Sequence, residues 1–97
     1  MSSGYVIAHV EVTNPTQYEE YKKWSSAAMQ AHGAQVCARG GQVAVLEGDW
    51  SPSRLVILKF PSFEAAKAFY ETPEYHKARE ARAGAAVMRM IAVEGAG

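Results

Sequence analysis

Apolar and polar positions alternate with period two over Tyr5–Val12, the pattern of a strand with two unlike faces. Val6, Ala8, Val10 and Val12 make an apolar face; Tyr5, Ile7, His9 and Glu11 make a mixed one. Asn14-Pro15 closes this strand and opens a helix, with Asn14 as N-cap, Pro15 at the first helical position and Gln17 where a capping box needs it. Along the helix Tyr18, Tyr21, Ser25, Ala28 and His32 recur at spacings of three and four, with Trp24 beside the stripe, and Gly33 is the expected terminator. Ala34–Gly40 alternates again and predicts a second strand. The most apolar stretch, Val43–Phe60, reads as two strands joined by a turn at Gly48–Ser53, with Trp50 and Arg54 at its corners. Gly40-Gly41 before it reads either as a two-residue hairpin turn or as a glycine kink within one long strand. In the hairpin reading Arg39 faces Gln42 and Cys37 faces Ala44, while Val36, Ala38, Val43 and Val45 share the other, apolar face. Pro61-Ser62 then caps a helix from Phe63 to about Glu71, and Thr72-Pro73-Glu74 restarts one over Glu74–Ala83. Val87–Glu94 is the final strand, and Gly95-Ala96-Gly97 reads as a fraying tail.

The order is strand, helix, strand (two in the hairpin reading), strand, helix pair, strand, which fits βαββαβ, the order of the α+β ferredoxin-like plait, with helices on one face of an antiparallel sheet. A sheet face left to water turns polar. Here the side away from the helices is expected to carry Tyr5, Ile7, His9 and Glu11, Cys37 and Arg39, Leu55, Ile57 and Lys59, and Arg89, Ile91 and Val93. That set is too apolar for a solvated surface and too charged for a monomer core. A second copy packed sheet to sheet resolves it, so a two-fold homodimer closing an α/β barrel is predicted.

Ninety-seven residues give room for one domain over 1–97. Ten basic and ten acidic residues balance, which argues against partners that need a basic excess, nucleic acid or an anionic membrane. The longest purely apolar run is Leu55–Leu58, far short of the ~20 residues of a bilayer span. The amino terminus lacks the basic and apolar regions of a signal peptide, and the single cysteine, Cys37, forms no internal disulfide. A cytoplasmic protein is the expectation.

Candidate chemistry is sparse. His9, mid-strand on the mixed face, is a candidate general base or ligand donor, or else an interface histidine. Arg39, Lys59 and Arg89 either converge on a small anion or pair with Glu11, Glu47 and Glu94 across a dimer. Trp50 is a candidate lid over a ligand, or a rim residue packed on the partner, and Asp49 a turn residue. The aromatic stripe Tyr18, Tyr21 and Trp24 reads as core or groove lining, where a buried hydroxyl needs a partner. No His/Cys/Asp/Glu cluster has metal-ligand spacing and no glycine pattern makes a phosphate loop, so neither metal nor cofactor is expected. Cys37 reads as buried and inert.

Several blocks are specific enough to name a resemblance: Gly4-Tyr5, Asn14-Pro15 with Tyr18 and Tyr21, Arg39-Gly40-Gly41, Leu46-Glu47-Gly48-Asp49-Trp50, Pro52 with Arg54, Phe60-Pro61-Ser62-Phe63-Glu64-Ala65-Ala66, and Pro73-Glu74-Tyr75. Over nearly its whole length the chain resembles the bacterial "domain of unknown function 1330" (DUF1330) family of the dimeric α/β-barrel superfamily. Phe69 departs from that pattern, which has Trp beside the tyrosine. The resemblance implies a ferredoxin-like fold and a homodimeric barrel, and carries no activity. The superfamily includes cofactor-free monooxygenases and haem-degrading enzymes, but a shared fold licenses no function. Three readings follow. The first is a dimer binding a small anionic or aromatic molecule, in the barrel or between sheet and helices. The second is a cofactor-independent monooxygenase or isomerase with His9 as base and Arg39 holding the substrate. The third is a structural or stress-associated dimer without ligand.

Overall fold

A computed structural model describes residues 2–96. Strands β1 (Gly4–Val12), β2 (Gln35–Arg39), β3 (Leu55–Phe60) and β4 (Ala86–Glu94) form one antiparallel sheet in the order β2-β3-β1-β4. Helices α1 (Pro15–Ala31), α2 (Phe63–Phe69) and α3 (Pro73–Ala81) cover one face. This is the ferredoxin-like arrangement.

The helix starts follow local chemistry. The side chains of Asn14, Ser62 and Thr72 accept from the backbone N–H of Gln17, Ala65 and Tyr75, three residues on in each case. Gln17 also reaches across the fold, its Nε2 donating to the carbonyls of Ala81 (3.1 Å) and Ala83 (2.7 Å) and so tying the start of α1 to the end of α3. Gly4 opens β1 directly beneath the backbone of Ser62 and Phe63, where a Cβ has no room. The core lies between sheet and helices. Val6, Ala8, Val10, Leu58 and Phe60 meet Tyr18, Tyr21, Ala28, Phe69 and Tyr75 there, all buried.

Two expectations fail in the middle of the chain. The strand expected at the start of Val43–Phe60 is absent: residues 41–54 are an exposed loop, and only Leu55–Phe60 pairs. Val43, Val45 and Leu46 are exposed, Leu46 at 95%. Gly40-Gly41 is therefore neither a tight hairpin turn nor a kink within a strand. Gly40, at φ 71°, ends β2, and its N–H donates to the Leu55 carbonyl before the chain leaves the sheet. The loop is pinned at its far end by buried Pro52 and by the Ser53 hydroxyl, which donates to the Val10 carbonyl at 3.0 Å.

The second failure is one of parity. The register of β2 on β3 shifts between Val36, opposite Leu58, and Ala38, opposite Ile57. Cys37 is the extra residue of this β-bulge, and it is exposed rather than buried. Period-two counting breaks there, so Arg39 lies opposite Val56 on the helix-facing side, not on the open face. At the carboxyl end, Gly95 does not fray: its N–H donates to the Ser3 carbonyl at 2.7 Å. Gly97 of the expected tail lies outside the described residues.

Candidate functional sites on the two sheet faces

On the open face, cross-strand pairing decides which residues meet. His9 stands directly opposite Leu55 on one side and Arg89 on the other. The 41–54 loop lays Trp50 edge-on against the imidazole, with ring centroids 6.1 Å apart. These residues, with Ile7 and Ile91, line an open groove of about 360 Å³. Lys59 does not join them. It pairs with Tyr5, four residues along β1 from His9, which at ~3.4 Å per residue puts it about 14 Å away. Of the five expected site residues, the open face thus gathers His9, Trp50 and Arg89, while Lys59 stands apart and Arg39 lies on the opposite side. The next row is wholly apolar: Ile57, Ile7 and Ile91 lie side by side on β3, β1 and β4.

On the helix face, α3 packs on α1 and the short α2 leaves β4 half-covered, so that Met88, Met90 and Ala92 are only partly buried. The result is a cleft of about 400 Å³ between α2, the end of α3 and β4, floored by those residues and by Phe69. Tyr70, Lys67 and Arg82 complete its walls. Methionines suit such a floor, because an unbranched thioether adapts to whatever shape lies on it.

Behind the cleft, a narrow cavity of about 20 Å³, room for one water-sized group, shares Val6, Phe69, Met88 and Met90 with it. Tyr21 and Tyr75 line this cavity, their hydroxyl oxygens 2.8 Å apart. The Tyr75 hydroxyl also points at Met90 Sδ, 3.6 Å away. Burial raises the pKa of Tyr21, the neighbouring Tyr75 and Tyr18 add to this, and Arg82 offsets part of it. Burial raises Tyr75 as well, against the pull of its bond to Tyr21 and of the Arg82 guanidinium. Both phenols therefore stay protonated through the neutral range. Arg82 sits over the Tyr21 ring, Cζ to centroid 5.8 Å, and its Nε is buried without a hydrogen-bond partner among the described residues. Leaving such a donor unpaired costs about 1–3 kcal/mol. Arg39 reaches the same cavity from the β2 side and donates to Ser26 Oγ on α1 at 3.0 Å.

Arg82, Lys67 and Tyr75 escaped sequence reasoning as site residues. A signal existed in the aromatic stripe, since buried tyrosines need partners, but nothing in the spacing linked Tyr21 to a residue 54 positions on. Among the described residues no group of His, Cys, Asp and Glu is placed to hold a metal ion, and no helix is long and apolar enough to cross a membrane.

Comparison with known proteins agrees with the fold. Residues 3–96 match the model of the family described as domain of unknown function (DUF1330). A protein of unknown function from Rhodopseudomonas palustris superposes with TM-score 0.71 at 22% identity, over 95% of this chain and 81% of that one. SnoaB, a cofactor-independent oxygenase from Streptomyces nogalater, gives TM-score 0.64 at 12% identity, over 96% and 92%. A dimeric ferredoxin-like protein of unknown function from Thermobifida fusca gives 0.62 at 17% identity, over 96% and 89%. At these identities the likeness is one of fold. No curated protein matches the chain.

Proposed function

The chain belongs to the DUF1330 family, and from that premise we propose a homodimer, joined sheet to sheet, that binds a small aromatic or anionic molecule in the helix-side cleft. One observation carries the reading: the cleft combines an apolar, methionine-rich floor with two cations, Lys67 and Arg82, that no ion pair among the described residues engages. Small-molecule sites have this make-up, a largely apolar concavity with a few convergent polar groups. The open-face groove is the weaker candidate, because sheet-to-sheet packing covers it.

A second reading rests on that groove. In the dimer His9, Trp50 and Arg89 become enclosed between protomers, where a histidine beside a cation can take a proton from an anionic substrate. This is the cofactor-independent enzyme reading, with Arg89 in the place expected for Arg39.

A thermal-shift screen against aromatic carboxylates, phenols, quinones and haem separates the readings. A ligand at 100 times its dissociation constant stabilises the fold by ~2.7 kcal/mol. The cleft reading expects a shift in wild type that survives His9→Ala and disappears in Ala92→Phe, which fills the cleft floor. The reverse pattern favours the groove. Silence across the panel favours a structural dimer.

A further inference from the structure

Resting on the cleft reading above, we propose that the inner end of the cleft recognises an anionic oxygen on a planar aromatic ring, such as a ring carboxylate or phenolate. Arg82 Nε and the Tyr75 hydroxyl are its donors.

A census of donors and acceptors leads there. Two phenols share one hydrogen bond, which uses one of their two protons. The other proton, that of Tyr75, points at the Met90 thioether, a poor acceptor. Arg82 Nε–H is buried with no hydrogen-bond partner among the described residues, although the guanidinium lies near enough to the Tyr75 hydroxyl to lower its pKa. The ammonium of Lys67 rests over the Phe63 ring, 5.2 Å from its centroid, and makes no ion pair among the described residues. A finished core pairs its buried donors. This one collects two that are unspent or poorly spent, on two concavities that share Val6, Phe69, Met88 and Met90, with no strong acceptor among the described residues to receive them, and the exposed Lys67 adds a cation to the cleft wall. The complementary group carries acceptors only, and an ionised oxygen does so.

Burial strengthens the case, since it keeps both phenols protonated and therefore able to donate. The walls specify the rest of the ligand. Phe69 and Tyr70 present ring surfaces, and Met90, which stands in both concavities, can swing its sulfur aside so that Tyr75 turns to the incoming oxygen. A neutral carbonyl can accept from the guanidinium but leaves its charge uncompensated. A phosphate-sized polyanion demands more donors than these.

The test uses two probes of the same shape, 2-naphthoate and its uncharged amide, 2-naphthamide, titrated calorimetrically into the full chain at neutral pH. Wild type is expected to bind the acid about tenfold or more tightly than the amide, the ratio one charge-assisted bond supplies. In Arg82→Met the ratio should fall to within about threefold; in Arg82→Lys, which keeps the charge but not the Nε donor, it should be intermediate. Tyr75→Phe should lower the acid's affinity about three- to tenfold. Equal affinity of the two probes for wild type, or a preference that survives Arg82→Met, overturns this inference alone, provided both are lost in Ala92→Phe. Failure of both probes to bind overturns the cleft reading and this inference with it.

Discussion

The proposed sheet-to-sheet dimer gives the sharpest prediction, at Ile91. This residue is 62% exposed in the isolated chain, at the outer end of the isoleucine row it forms with Ile7 and Ile57. Val93, exposed at 41%, follows it on the same strand face, and Val87, exposed at 54%, lies further along that face beyond Arg89. Burying a whole isoleucine side chain stabilises by about 1.5–3 kcal/mol. The exposed share of Ile91 therefore brings about 1–2 kcal/mol per copy to an interface that covers it. Two-fold symmetry counts the residue twice, so Ile91→Ala should weaken association by about 2–4 kcal/mol, from some thirtyfold to several hundredfold in dissociation constant. The protomer itself should barely notice, because substitutions at exposed positions cost within ~0.5 kcal/mol. Sedimentation velocity over a dilution series measures the association, and a denaturant melt at the dilute end checks the protomer. A wild-type chain that sediments as a monomer at micromolar concentration refutes the argument. So does an Ile91→Ala chain that dimerises as tightly as wild type.

Two further outcomes test the interior and the surface. Tyr21→Phe should cost about 1–3 kcal/mol in urea unfolding, and adding Tyr75→Phe should cost little more, because removing both partners of a buried bond strands neither; strictly additive losses would show that the pair is not coupled. On the surface, His32 Nε2 lies 2.7 Å from Glu74 Oε1, and that bond first, with a backbone bond at Glu74 second, holds the carboxyl below the usual glutamate range. A depressed folded-state pKa gives stability that is present above the unfolded-state value and lost as pH falls through the folded one. The difference in melting temperature between wild type and Glu74→Gln should therefore shrink on acidification into and below the ordinary glutamate range; a difference that stays constant there removes the carboxylate from the account.

Much of the fold was legible because its signals are local. Asn14, Ser62 and Thr72 announce the helix starts by the chemistry of their own side chains, and the caps form where expected. The period-two faces of β1 and β3 follow from half-burial, and Val6, Ala8 and Val10 are buried with Val56, Leu58 and Phe60. The errors lie where pattern and pairing part. Val43-Ala44-Val45-Leu46 has the composition of a strand, but a strand also needs a ladder, and the chain leaves β2 at Gly40 without one. Cys37 carries no mark of a bulge, yet one inserted residue moves Arg39 from the open face to the helix side. Hence the site residues expected to converge divide between the two faces. His9 with Arg89 follows from strand register alone, whereas Trp50 joins them only through the path of the loop.

Overall neutrality hides a sorting of charge that bears on the ligand. The carboxylates Glu19, Glu20, Glu71, Glu74 and Glu80 sit on the helices and the loop between them, each beside its own base: Lys22, Lys23, Arg79, His32 and His76. Those pairs are exposed and contribute little to stability. What they do is neutralise the outer surface locally, so no broad positive field remains to draw in a polyanion. Lys67, Arg39, Arg54 and Arg82 belong to none of these pairs, and the three arginines face the interior between sheet and helices. A chain with zero net charge thereby keeps three arginines outside these pairs at positions partly withdrawn from water, where each is worth more. Such a distribution suits a small anion that enters a cleft.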